Sequence, residues 1–356
     1  MAKVSILTFQ YSYTYGAVLQ AYGLSKAVEK MGHEVRMIDY RPLAARRHYE
    51  DYWPRHPKRL PRALYSHSRS FFFRRRFNRF RKRYLPLTKT YLTVEDLEQS
   101  PPLADYIVCG SDQIWNVSSF RGFDAAFFLS FLREPIPQRV SYAATFGDAE
   151  DLGGNKQYIC SLLKDFDHIS VRDERSQRMI QDLIGRTAMH VLDPCFLIDY
   201  STITPPPILK PPYILVYCYS KNDLSTYAVQ CIHRELHIPV ISIHASFEDF
   251  DDGDILHSGP LEWLSLMQHA SFVCTDSFHG TCFAIKNGKQ FITVAKETGM
   301  SRIEDILQTA GLSHRIIWND EQLGTAIEEP IEYDAVSSRI EGARKRSLSF
   351  LHSALG

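Results

Sequence analysis

The chain has 356 residues, 44% of them hydrophobic, with 41 Lys/Arg against 41 Asp/Glu, which supplies core for one large or two ordinary domains and excludes a disordered chain. No apolar run approaches the ~20 residues of a membrane span. The apolar stretch VSILTF gives way to tyrosines after six residues, so no leader pattern is read and a cytoplasmic protein is expected. Charge is uneven all the same: residues 41–90 hold 16 Lys/Arg and 2 acids, leaving 25 and 39 elsewhere. Such asymmetry points to an anionic partner surface or an internal complement. The seven cysteines are odd in number, lack CxxC spacing and fall mostly in apolar runs, which fits reduced core thiols rather than disulfides or metal ligands.

In chain order, KVSILTF predicts a strand, GAVLQAYGLSKAVEK an amphipathic helix ending before Gly32, and HEVRMIDY a second strand, a β-α-β unit. Strands follow at ADYIVCG, RVSYAAT, HISVRDE and MHVLDPCF. Five of the eight residues in PPPILKPP, 205–212, lack an amide donor, so the linker is placed there. Beyond it strands and helices alternate: YILVYCY, LSTYAVQCIHREL, PVISIHA, LEWLSLMQHA, SFVCTD, HGTCFAIKN, QFITVA, RIEDILQTAG, HRIIW. Alternation of this kind implies a parallel sheet with right-handed crossovers. The expected fold is α/β, with a Rossmann-like domain over 1–204, the linker, a second over 213–332, a ligand cleft between them, and a closing helix at 333–356 that packs back on the first.

The most informative local stretch is FVCTDSFHGTCF, 272–283. If FVCT is a buried strand and HGTCFAI opens a helix, then Asp276 to Gly280 form the turn at the strand's carboxyl end, the usual ligand edge of an open α/β sheet. Helix-start amides favour an anion there, Gly280 lets a ligand approach the backbone, and His279 adds a proton donor near neutral pH. The competing reading is a capped helix in which Asp276 or Ser277 is the N-cap and His279 a hydrogen-bonded, partly buried ring.

Taken with YTYGAVLQAYGLSKAVEKMGHEVRMIDY, VCGSDQIWN (108–116), SYAATFG (141–147), ISVRDERS (169–176), VLDPCFL (191–197) and GPLEWLSLMQHASFVCTDSFHGTCFAI (from 259), the chain resembles the polysaccharide pyruvyl transferases. The resemblance implies two Rossmann-like domains of GT-B-like type, and transfer of pyruvate from phosphoenolpyruvate to two hydroxyls of one sugar as a ketal. Members with this activity commonly carry Arg-Leu-His in the last motif. Here it reads Ser277-Phe278-His279, so the histidine is kept and the arginine is absent.

Ketal transfer needs a proton on the methylene carbon, cations for carboxylate and phosphate, and a base for the sugar hydroxyls; it needs no redox cofactor. His279 is the candidate acid, with Ser277, Gly280 and Thr281 at the donor's anions. Arg172, at the end of HISV, is a planar two-pronged oxyanion donor, or else an ion pair with Asp173 or Glu174. Asp112 follows a strand and Gly110; it orients or deprotonates a hydroxyl, or is a turn aspartate. Arg302 stands where a replacement for the lost arginine is wanted, with Lys296 and His244 as further donor-side candidates, each of which also fits a structural or solvated role.

For the acceptor, Tyr11, Tyr13, Tyr15, Gly16 and Gln20 follow the first strand without a GxGxxG fingerprint, so no dinucleotide is expected. Trp115 stacks on a sugar or sits in the core; Asn116 bonds hydroxyls or ends the turn. The segment 67–84, HSRSFFFRRRFNRFRKRY, interleaves aromatics with arginines. It reads as a peripheral contact with anionic lipid near a lipid-pyrophosphate-linked acceptor, or as a basic helix docked on the acidic remainder. No nucleic-acid-binding motif accompanies it. The sequence also admits a nucleotide-sugar glycosyltransferase of the same architecture, or a non-catalytic anion- or glycan-binding member.

Overall fold

The computed structural model describes residues 1–50, 60–133, 137–219, 221–244, 251–254 and 258–356. Contacts divide the chain into two compact units: residues 1–67, 78–198 and 343–356 form the first, and 68–77 with 199–342 the second.

Unit 1 runs β1 (Lys3–Leu7), α1 (Tyr15–Lys30), β2 (Glu34–Tyr40), α2 (Leu43–Glu50), α3 (Leu60–Tyr84, whose residues 68–77 count with unit 2), β3 (Leu87–Tyr91), α4 (Val94–Gln99), β4 (Tyr106–Asp112), β5 (Gln138–Ala144), α5 (Lys156–Lys164), β6 (His168–Val171), α6 (Glu174–Ile184) and β7 (Met189–His190). Among the described residues its seven strands are all parallel, in the order β3-β2-β1-β4-β5-β6-β7. The central strands are apolar and buried on both faces, as a sheet covered by crossover helices requires. α6 shows the local logic at both ends: Asp173 Oδ1 accepts the Ser176 amide at 2.7 Å, and Gly185 closes the helix in the left-handed region.

Unit 2 runs β8 (Ile214–Cys218), α7 (Asp223–Leu236), β9 (Val240–His244), β10 (Asp251–Asp254), α8 (Pro260–His269), β11 (Phe272–Thr275), α9 (Phe278–Lys286), β12 (Gln290–Val294), α10 (Ser301–Ala310), β13 (Ile316–Ile317), α11 (Leu323–Glu328) and α12 (Tyr333–Leu355), the last fourteen residues of the chain counting with unit 1. Among the described residues its six parallel strands lie in the order β10-β9-β8-β11-β12-β13. Each sheet is therefore doubly wound, and its winding reverses at one place: between β1 and β4 in unit 1, between β8 and β11 in unit 2.

Two boundaries differ from expectation. The change of unit falls at 198/199, ahead of the proline run, because Tyr200 packs edge-on against Phe283 and the Pro206 carbonyl accepts from Ser265 Oγ at 2.9 Å. The closing helix does start at Tyr333, but only from Ala343 does it count with unit 1, where Ser347 Oγ takes the Leu192 amide at 2.9 Å and Phe350 meets Tyr142.

Candidate functional site

At the reversal in unit 1, β1 and β4 are hydrogen-bonded neighbours and their carboxyl ends are tied together. Thr8 Oγ1 donates to the Ser111 carbonyl at 2.9 Å and itself accepts from Gln20 Nε2 at 2.9 Å. Gly110 has φ +130°, and a Cβ there would run into the Tyr142 carbonyl of the next strand, so only glycine fits. The chain then turns through Asp112, at φ +84°, whose partly exposed carboxylate takes the Gln113 amide at 2.8 Å and Arg172 Nη2 at 3.4 Å.

Arg172 is thereby placed differently from expectation. Its side chain is 1% exposed, and Nη1 donates to the wholly buried Asp193 at 2.7 Å. Asp193 also takes Ser111 Oγ at 3.3 Å and caps a short turn through the Cys195 amide at 3.0 Å. Burial works against the guanidinium's charge, but Asp193 and then Asp112 outweigh it, and the pKa is raised. Enclosed between two carboxylates, Arg172 is a tether for Asp112 and not an open cation for a donor anion.

Several expected acceptor residues prove internal. Trp115 is fully buried, stacks on Phe128 and donates its indole N–H to the Phe127 carbonyl at 2.9 Å, so no ring face is open to a sugar. Tyr15, Gly16 and Gln20 lie on the buried start of α1, and Gln20 serves Thr8 and the Ala17 carbonyl. Asn116 is partly exposed but bonds Gln113 Oε1 and the Ser118 amide, closing the turn. Tyr13 is partly exposed and lies under Arg81, 4.7 Å from its ring centroid. Tyr11 is 5% exposed; its hydroxyl accepts from Arg121 Nε at 3.2 Å, and burial pushes its pKa up. Arg81, from the basic segment, is itself buried and donates to the Gln10 and Ser12 carbonyls at 3.2 and 3.0 Å, holding the loop after β1.

At the reversal in unit 2, Asp276 follows β11 and accepts the amide of Tyr219, the residue after β8, at 2.9 Å. Ser277 caps α9 by accepting the Gly280 amide at 3.3 Å. His279 stands in the first turn, and it alone among 272–285 is not buried. Its ring meets Phe278 edge-on at 5.1 Å, and Arg302, at the start of α10, lies 5.8 Å from the Phe278 centroid. Lys296, partly exposed after β12, lies 5.9 Å from the Tyr219 ring. His279, Arg302, Lys296 and Tyr219 thus collect on the carboxyl edge of one sheet.

Two donor-side expectations are corrected here. Gly280 is needed because a Cβ would press on Thr275 and come within 3.0 Å of Tyr217 Cδ1; it serves helix-on-strand packing, not ligand approach. Thr281 is buried, and its hydroxyl is committed to the Ser277 carbonyl at 3.0 Å and Thr293 Oγ1 at 2.9 Å. His244 ends β9, and its side chain lies outside the described residues.

Sequence reasoning passed over Tyr219, Asp193 and Arg121. Tyr219 closes the strand YILVYCY and Asp193 sits in VLDPCFL, both at strand ends, which was the available signal.

The family model for polysaccharide pyruvyl transferase matches residues 15–296. No curated protein matches the chain. Among solved structures the chain is similar to S. aureus MnaA in its co-structure with UDP, at 13% identity and TM-score 0.52, covering 95% of this chain and 94% of that one. It is similar also to a Methanocaldococcus jannaschii UDP-GlcNAc 2-epimerase in complex with UDP-GlcNAc and UDP, at 13% identity and TM-score 0.51, covering 95% and 98%. At such identities the likeness is one of fold, two Rossmann-like units of GT-B-like type.

Proposed function

Because the chain belongs to the polysaccharide pyruvyl transferase family, we propose that it moves pyruvate from phosphoenolpyruvate onto two hydroxyls of a sugar as a ketal, in the building of a capsule or exopolysaccharide precursor. The observation that carries this reading is the placement of His279. In a strand-turn-helix segment otherwise packed into unit 2, His279 alone is partly exposed, with its Nε2 buried, at the reversal point where doubly wound sheets bind ligands.

The chemistry assigns each group a task. Two sugar oxygens form bonds to C2 of the enol phosphate, the C2–O bond to phosphate breaks, and the methylene becomes a methyl group. Of the two hydroxyl protons released, one balances the proton gained by carbon and the other leaves with phosphate. His279 delivers the proton to carbon. Lys296, partly exposed, and Arg302, 8% exposed, supply cations on the same edge of unit 2, in place of the arginine that Ser277 does not provide. Asp112, held by Arg172, draws the proton from a hydroxyl.

The acceptor is read as lipid-pyrophosphate-linked. α3 exposes Phe71, Phe72, Arg75, Arg79, Lys82 and Arg83, a composition that suits an anionic lipid surface, while its Phe77 and Phe80 are buried. Among the described residues no helix is long and apolar enough to cross a membrane.

The test is phosphate release from phosphoenolpyruvate, expected only when acceptor is supplied and reduced roughly 10²- to 10⁴-fold in folded His279→Ala. Release of a nucleoside diphosphate from a sugar nucleotide would instead make the protein a glycosyltransferase, and binding of anions without turnover of either donor would make it a non-catalytic member.

A further inference from the structure

Unit 1 holds a second cation at its carboxyl edge that none of the tasks above uses. Arg121 lies in the connection from β4 to β5, which begins at Asp112. Its guanidinium is sandwiched between two rings, 3.9 Å from the Phe9 centroid and 4.3 Å from that of Phe120. In the plane, Nε donates to Tyr11 Oη at 3.2 Å and Nη2 to Tyr49 Oη at 2.9 Å. The Tyr49 phenol is braced in turn by Ser12 Oγ at 2.9 Å, itself 3.0 Å from Thr14 Oγ1. The side chain is therefore fixed on its faces and along one edge.

All of these partners are neutral. Burial pushes the Tyr11 phenol up, so it stays protonated, and it lowers the pKa of His48, which stacks on Phe120 at 3.8 Å. The acid of this cluster, Asp124, takes the Tyr40 hydroxyl at 3.0 Å and makes no ion pair with Arg121. Nη1 makes no hydrogen bond to a described residue and is not enclosed. With Nη1 and the second Nη2 hydrogen uncommitted, the guanidinium keeps one fork, the pattern that matches two oxygens of a phosphoryl group. Packing alone gives no reason to hold a part-buried guanidinium rigidly without an ion pair to any described residue, since its desolvation is costly.

We propose that Arg121, clamped by Tyr11 and Tyr49 between Phe9 and Phe120, binds a phosphoryl group esterified to the sugar acceptor. The assignment to an acceptor rests on the pyruvyl-transfer reading; the oxyanion chemistry does not. The position supports it, because Tyr11 and Ser12 follow β1 and Arg121 follows β4, the two strands that flank the reversal in unit 1. The exposed edge of Phe120 beside His48 offers an apolar surface for a sugar ring.

Calorimetric titration with α-D-glucose 1-phosphate, with inorganic phosphate and glucose alongside, tests this without requiring turnover. Wild type is expected to bind the ester more tightly than either fragment, and Arg121→Gln to weaken the ester roughly 10- to 100-fold, the loss typical of a charged hydrogen-bond pair. Should Arg121→Gln fail to fold by circular dichroism, Tyr49→Phe keeps the ring and removes one clamp, with an expected loss of roughly 3- to 10-fold. Undiminished affinity in the folded variant, a loss confined to inorganic phosphate, or no ester binding by wild type at roughly ten millimolar each overturns the proposal. Failure of phosphoenolpyruvate turnover with ester binding intact would sink the transfer reading and leave the oxyanion site standing.

Discussion

Replacing Arg172 by Met removes the cation from a chain of contacts, Asp193–Arg172–Asp112, while keeping much of the side chain's length. The contact to Asp193 is 2.7 Å between groups 1% and 0% exposed, and that to Asp112 is 3.4 Å. At an effective dielectric constant of about 20, the first pair has a gross attraction on the order of 6 kcal/mol, most of it offset by desolvation. What the substitution exposes is the offset: Asp193 remains buried with no guanidinium, and losing one partner of such a pair costs about 3–5 kcal/mol. For a unit of roughly 200 residues this lowers the melting temperature by about 6–20 °C. Asp193→Asn in the Arg172→Met background should recover part of the loss, since it neutralises the stranded carboxylate and keeps an acceptor for the Cys195 amide. The assay is thermal and urea unfolding of the four proteins of the cycle, with steady-state kinetics below the transition. If Arg172 tethers Asp112, kcat falls and KM for phosphoenolpyruvate hardly moves; a donor clamp would instead raise that KM by roughly tenfold or more. A melting temperature within about 2 °C of wild type, or additive losses in the cycle, would refute the reasoning.

Gly280→Ala gains helix propensity but forces a methyl group onto Thr275 and Tyr217, so a net loss of about 1–2 kcal/mol is expected in urea unfolding; a stabilised variant would show that α9 is not seated as described. Trp115→Ala is expected to cost about 3–5 kcal/mol in stability while the acceptor KM of the folded fraction is unchanged, and a raised acceptor KM would return the indole to the sugar site. Burial raises the Asp124 pKa, ahead of the opposing bonds from the Ala126 amide and the Tyr40 hydroxyl. A folded-state pKa above the unfolded value, about 3.9, means that this group's contribution is full below that pH and is lost as pH rises through the folded pKa. Asp124→Asn, which keeps an acceptor for both bonds, should therefore match or exceed wild-type stability at pH ~7 and lose that advantage below pH ~4, as read from melting curves across that range; the opposite trend contradicts the assignment.

What could be read from the sequence was what depends on neighbours along the chain. Buried strands such as FVCT and the helix after them are set by apolar runs and a serine cap within a dozen residues, so the turn carrying His279 was visible in advance. Two of the four edge strands, β3 and β10, were not, because LTKTY and DDGD are polar: an edge strand is paired on one side only and need not be apolar. The misplaced site residues share a second cause. Whether an arginine after a strand is an open cation or an enclosed tether depends on what the fold brings to it, and Arg172 meets Asp193 and Asp112 across 21 and 60 residues. Arg121 meets Tyr11 and Tyr49 across 110 and 72, inside a stretch with no periodic signal. Both arginines stand at the carboxyl edge of the same sheet, and their surroundings divide the roles: one buried and one partly exposed carboxylate absorb the charge of Arg172, while two phenols fix Arg121 without neutralising it. A cation held in that second way keeps its field for something that arrives from outside, and on that ground Arg121, rather than Arg172, is the residue of unit 1 expected to meet an anion.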